Sequence, residues 1–359
     1  MKNHPQVRVS CATHGDETKP RAARRAFVLG SLGRLGAGAL ALSPLQRAMA
    51  AGADLSGITL TIGSTSKVGL HRELVASGED RGAPYQIKWA DFDSTLVLLE
   101  ALRSGRVDIA QGGETGVLFA LGNGSRISVL AAWQETRSGG SAILVRKDSP
   151  VRTVADLRNR KIALPFYSKQ HYQLARALEQ AGIPFDRNNV LSLNTTDGLS
   201  ALVNRQVDAF VVWDPNTAIA QTQYDARILV PLKNVIEVPG LVYAPTSALD
   251  DPLRRFALED ATRRIIRAKH RVLQDPARWA SDIAELSHIP LAAAQLQVSR
   301  TYARYEPAGS PQNIESWQKE IAYFYQTGQI RQQYQIADHI APGFGAIVAD
   351  ENARLGKQA

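Results

Sequence analysis

The residues able to do chemistry fall in a few short stretches. Phe166-Tyr167-Ser168-Lys169-Gln170-His171 puts a serine and a histidine at the start of a predicted helix over 169–180. Free backbone N–H groups and the helix dipole at such a start favour an anion. Ser168 also suits a plain N-cap. His171 suits either a hydrogen bond to an oxyanion or a structural role. Gly112-Gly113-Glu114-Thr115 and Trp213-Asp214-Pro215 each follow an apolar strand. Glu114 and Asp214 offer carboxylates to an ammonium or hydroxyl group. Asp214 reads equally as an N-cap with Pro215 in the first helical position. Trp213 either packs against a ligand's carbon chain or belongs to the core. Ser64-Thr65-Ser66 supplies hydroxyls at the tip of the first strand, and Gln134 and Arg137 follow the fourth. Arg137 can grip an oxyanion in bidentate fashion, although an exposed loop arginine is the commoner case. The candidate ligand-binding set is therefore Ser64, Thr65, Ser66, Gly113, Glu114, Thr115, Gln134, Arg137, Ser168, His171, Trp213 and Asp214.

Other chemistries lack their signatures. None of the seven histidines stands four residues from another, and no HExxH, G-x-S-x-G or P-loop pattern occurs. No catalytic set, metal or cofactor is expected. The single cysteine is Cys11, which offers no basis for a disulfide framework. A net charge of +8 hints at nucleic acid, but residues 1–50 hold eight Lys/Arg against two Asp/Glu. The rest has 34 basic and 32 acidic residues, a net of +2. Its aromatic residues do not alternate with a basic stripe, so no nucleic-acid partner is expected.

The elements that must position these residues follow a repeat. Residues 100–113 read EALRSGRVDIAQGG and residues 200–213 read SALVNRQVDAFVVW. Val107-Asp108 lies 100 positions before Val207-Asp208, and Ala101-Leu102 lies 100 before Ala201-Leu202. In each copy a helical run ends in a turn, Val-Asp leads into an apolar strand, and a tip follows. Ligands in open α/β sheets gather beyond the carboxyl ends of strands. Two such tips predict two lobes across a cleft. Repeated βα units predict a mostly parallel sheet in each. Thin crossings near 139–144 and 240–246 permit hinge closure, and residues from 252 onward read as mostly helical.

Residues 1–50 read as an export leader. Arg24-Arg25-Ala26-Phe27-Val28 resembles a twin-arginine motif, the stretch 30–42 is mildly apolar, and Ala48-Met49-Ala50 is an A-x-A cleavage site. The mature chain is expected to begin at Ala51, with lobe I over 51–142 and 243–359 and lobe II over 143–242.

Several stretches together resemble a family of periplasmic substrate-binding proteins of ABC importers, the group carrying aliphatic sulfonates, taurine and nitrate. They are Gly140-Ser141-Ala142-Ile143-Leu144-Val145, Lys147-Asp148-Ser149-Pro150, Val154-Ala155-Asp156-Leu157, Lys161-Ile162-Ala163, Ser168 with His171, and the run Val207 to Pro215. The resemblance covers about 55–339. It implies a two-lobed periplasmic-binding-protein fold of type II with a two-crossing hinge. It implies a monomeric receptor for a small organic anion or zwitterion, an aliphatic sulfonate above all, with a membrane permease as partner. Nitrate or another small solute is the alternative within the class. Two departures fall at the ligand tips: Phe166-Tyr167-Ser168-Lys169-Gln170 replaces a Gly-Ser-Ser type of turn, and Gly113-Glu114-Thr115-Gly116 replaces Gly-Asp followed by small residues. The other reading is an enzyme on the same scaffold. A sulfinate-cleaving type needs a cysteine nucleophile, and a pyrimidine-precursor type consumes its own histidine.

Overall fold

Short β-rich runs bounded by Gly, Pro and Asp divide the chain into eleven strands in the computed structural model, which describes residues 54–65, 68–135, 140–301 and 303–357. The leader with its twin arginines and cleavage site, and also Ser66 and Arg137, lie outside the described residues. The described residues belong to one unit, Pro44–Ala359.

The strands form two sheets. In the first, β1 (Thr59–Ser64) lies parallel to β2 (Gln86–Asp91) and β3 (Ile109–Gly112). Next to β3 comes β10 (Gly240–Pro245), then β4 (Ile127–Glu135) and β11 (Ala303–Glu306), each antiparallel to its neighbour. The second sheet has the order β7 (Val190–Ser192), β6 (Ile162–Leu164), β8 (Ala209–Val212), β5 (Ala142–Val145), β9 (Arg227–Pro231). The chain passes between the sheets over 136–141 and again over 232–239.

Both sheets are mixed, which corrects the expectation of mostly parallel ones. Only β1–β2, β1–β3, β6–β7 and β6–β8 run parallel. The reason is the route of β5 and β10. Each enters straight from the other sheet without a crossover helix, so nothing forces it parallel to its neighbour.

The 100-residue repeat is structural. Ile62 pairs with Ile109 between β1 and β3, and Ile162 pairs with Ala209 between β6 and β8. Thr61 N–H donates to Asp108 Oδ2 at 2.8 Å, and Lys161 N–H donates to Asp208 Oδ2 at 3.0 Å. Asp108 N–H returns a bond to Thr61 O at 2.9 Å and Asp208 N–H one to Lys161 O at 2.8 Å.

Helices cover the sheets. Lys169–Gln180 is helical as expected, and Thr95–Arg103 begins at Ser94, whose hydroxyl accepts from Val97 N–H. Pro215 does not open the next helix: it is the N-cap of Asn216–Tyr224, while the Asp214 carboxylate accepts from Ala218 N–H at 3.0 Å. The helix Glu114–Gly122 gave no periodic signal because every residue except Ala120 is buried, so no polar face marks it. Beyond 252 the described residues are mostly helical, and β11 completes the first sheet. The first core joins Leu60, Ile62, Leu130 and Val242 to Ile265 and Ile266 of the helix Pro252–Gln274. Among the described residues no helix is long and apolar enough to cross a membrane.

Candidate functional site

The carboxyl ends of β1, β3 and β8 meet at one cavity of about 140 Å³ between the two sheets. The first sheet contributes Ser64, Gln111, Gly112, Trp133 and Glu135. The facing side contributes Gly140, Ser141, Lys169, Gln170, Trp213 and Asp214. Helical residues Glu73, Lys269, Trp279, Gln297 and Arg300 close the remainder.

Of the twelve predicted site residues, Ser64, Thr65, Gly113, Trp213 and Asp214 line this cavity. The structure does not bring Glu114, Thr115, Gln134, Ser168 or His171 to it. Register explains each case. Side chains alternate along a strand, so Trp133 and Glu135 of β4 face the cavity and Gln134 between them lies on the other side. At the helix start Lys169 and Gln170 face the cavity, while Ser168 turns back and donates to Pro165 O at 2.6 Å. The helix start was legible, but not the face it presents. Lys269, Trp279, Gln297 and Arg300 come from long helices far along the chain, and no local pattern marked them.

His171 is fully buried among Phe119, Phe166, Tyr167, Phe185 and Phe324. It stacks on Phe166 at 4.9 Å, and neither ring nitrogen has a hydrogen-bond partner. Burial, aided by the Arg187 charge, pushes it down to about 3, so it is a neutral aromatic filler at physiological pH.

Glu114 is also fully buried, inward of the cavity wall. Neither of its carboxyl oxygens has a hydrogen-bond partner among the described residues, and it sits beside Glu320, which accepts from the Thr115 hydroxyl at 2.5 Å. Burial pushes Glu114 up to about 7 against the opposing Lys169 charge. Burial and the Glu114 charge raise Glu320 well above the usual carboxylate range. Two carboxyls buried side by side disfavour ionising both. Burial alone would lower Lys169, but the carboxylates of Glu237, Glu114 and Glu135 outweigh it and hold the ammonium above its ordinary value.

The cavity's cations are engaged. Lys169 Nζ lies 2.7 Å from Glu237 Oε1 and 5.8 Å from the centroid of the Trp133 ring. Lys269 pairs with Glu73. Arg300 grips Asp214 through Nε at 2.8 Å and Nη2 at 2.6 Å, and reaches Gln221 at 2.7 Å. The bidentate fork is the geometry of a carboxylate bound by guanidinium. Burial nevertheless raises the Asp214 carboxyl above its ordinary value, against Arg300. Two glycines let the walls approach. A Cβ on Gly140 would stand 2.3 Å from Asp214 Oδ2, and one on Gly113 would stand 2.9 Å from Lys169 Cβ.

Residues 93–249, less than half of the chain, match the family model described as "NMT1/THI5 like". A protein of Escherichia coli (strain K12) named "Putative aliphatic sulfonates-binding protein" is 34% identical over 151 residues, covering 42% of this chain and 47% of that protein. The taurine-binding periplasmic protein of the same strain is 27% identical over 216 residues, covering 57% and 65%. The chain thus matches about half of the first relative's length and under two thirds of the second's. The alkanesulfonate-binding protein SsuA from Xanthomonas axonopodis pv. citri, solved with MOPS, superposes with a TM-score of 0.72 at 25% identity over 79% of this chain and 98% of that one. The desulfurization enzyme DszB shares the fold alone, with a TM-score of 0.60 at 15% identity over 82% and 99%. The matched relatives are named as binding proteins, whereas the fold also serves an enzyme. Residues 93–249 are similar to the NMT1/THI5-like family, and the chain carries the periplasmic-binding-protein fold of the sulfonate-binding structures.

Proposed function

We propose that this chain is an extracytoplasmic receptor that captures a small organic anion or zwitterion, an aliphatic sulfonate above all, and delivers it to the permease of an ABC transporter. Lobe I (51–142 and 243–359) and lobe II (143–242) close on the ligand about the two passages between sheets. The protein is exported to the periplasm by the twin-arginine route and acts as a monomer. The observation that carries this reading is the cavity between the sheets, where two helix starts converge: Gly113 caps one, and Lys169 and Gln170 open the other. Their N–H groups and the Lys169 ammonium favour an oxyanion head. Relatives named for sulfonate and taurine binding support the same choice.

The enzyme readings find less support. The sulfinate-cleaving type needs a cysteine, and the only one is Cys11, ahead of the proposed cleavage site. The histidine-consuming type needs a histidine at the ligand, and His171 stands outside the cavity wall.

Calorimetry with taurine, a short alkanesulfonate, nitrate and sulfate tests the assignment. A sulfonate is expected to bind, to raise Tm by mass action and to shrink the radius of gyration in solution scattering. Mass spectrometry should recover it unchanged. Binding of nitrate or sulfate alone would overturn the sulfonate assignment, and a chemically altered ligand would overturn the receptor.

A further inference from the structure

We propose that Glu135 selects a ligand carrying a cationic nitrogen. This rests on the receptor reading and names the ligand class within it. Among the described residues three cations line the cavity, and each already has a carboxylate: Glu237 for Lys169, Glu73 for Lys269 and Asp214 for Arg300. Glu135 also lines the cavity, and it has no ion pair or hydrogen bond from its side chain among the described residues. It acts on Lys169 and on Asp214 only through space. Among the described residues, the charge left over in the cavity is therefore negative. A purely anionic ligand would meet Glu135 across a small cavity, where like charges repel. A zwitterion places its oxyanion at the helix starts and its nitrogen at the carboxylate.

The walls suit the same nitrogen. Trp133, Trp213 and Trp279 all line the cavity, and indole faces attract cations. Trp133 stands two residues before Glu135 on the same face of β4. Its ring orientation is fixed by the Nε1–H bond to Gly112 O at 3.1 Å. The carboxylates singled out by sequence, Glu114 and Asp214, cannot take this role. One is fully buried outside the cavity lining and the other is held by Arg300.

The test compares pairs of probes that differ in the nitrogen: taurine against ethanesulfonate, and β-alanine against propionate. Each is titrated into the wild-type protein, Glu135→Gln and Glu135→Asp, with melting curves to confirm that all three fold. Wild type is expected to favour taurine over ethanesulfonate by about tenfold or more, the range of one charge-assisted hydrogen bond. Glu135→Gln should remove that preference by weakening taurine while sparing ethanesulfonate, and Glu135→Asp should keep part of it. Equal or tighter binding of ethanesulfonate by wild type would overturn the proposal, as would equal weakening of both sulfonates in Glu135→Gln. If neither sulfonate binds but β-alanine is preferred to propionate and loses that preference in Glu135→Gln, Glu135 keeps its role and the sulfonate assignment falls. If none of the four binds the folded protein, both fall.

Discussion

Glu114 and Asp214 stand 100 positions apart, each at the tip of its copy of the repeat, and they have opposite surroundings. Up to the tip the two copies are superimposable in their bonding: Asp108 and Asp208 each stitch their strand to the backbone of its neighbour, at residues 61 and 161. Beyond it they part. At the first tip Gly113 lets the backbone of Lys169 come close, and the carboxyl of Glu114 sinks inward beside Glu320. At the second tip Trp213 takes up the room, and the carboxylate of Asp214 stays at the cavity, gripped by Arg300. A repeated frame fixes where the tips lie. What each tip does depends on the helix that reaches it from elsewhere: Pro311–Gln326 brings Glu320, and Leu291–Arg300 brings Arg300.

The largest effect is expected from Asp214→Ala. It leaves the Arg300 guanidinium, 14% exposed, without its carboxylate. Breaking one side of a buried pair costs about 3–5 kcal/mol, read as a lower midpoint in urea unfolding. A loss under about 1 kcal/mol would mean that the pair behaves as a surface contact.

The equivalent change at the first tip should act in the other direction. The folded state raises Glu114 to about 7, whereas an unfolded glutamate titrates near 4.3. The folded protein therefore holds a proton that the unfolded chain gives up. The stability this group contributes is fully present below the unfolded value and is lost as pH rises towards about 7. Glu114→Gln keeps the shape without the titration. It should be more stable than wild type by on the order of 1–3 kcal/mol at about pH 8, with the gap closing below about pH 5. Thermal melts across that range check it, and a pH-independent gap would show that Glu114 does not titrate in this window.

The smallest effect concerns the frame itself. Asp108→Ala and Asp208→Ala each remove a carboxylate that accepts one backbone N–H bond. Each should cost about 1–3 kcal/mol. Asp108 should cost the more, because it also holds Arg254 at 2.7 Å, whereas Asp208 has Arg160 at 3.5 Å and is more exposed. A reversed order in denaturant melts would break the equivalence of the two copies.

Much of this molecule was legible in one dimension. The strands at 59–64, 142–145 and 209–212, the helices at 95–103 and 169–180 and the 100-residue spacing all follow from local alternation, caps and turns, because those signals act between residues a few positions apart. Ser64, Thr65, Gly113, Trp213 and Asp214 line the cavity because strand tips, which are visible in sequence, do reach it. The tertiary structure alone decided which neighbour faces inward. Glu135 replaced Gln134, and Lys169 with Gln170 replaced Ser168 with His171. A one-residue change of register turns a side chain to the opposite face, and the packing that sets it comes from the other sheet. The pairing of Asp214 with Arg300 and the burial of Glu114 beside Glu320 depend on segments 86 and 206 residues apart in the chain. No local pattern can encode which of them meet, because desolvation and charge pairing are properties of the assembled cavity rather than of any one stretch.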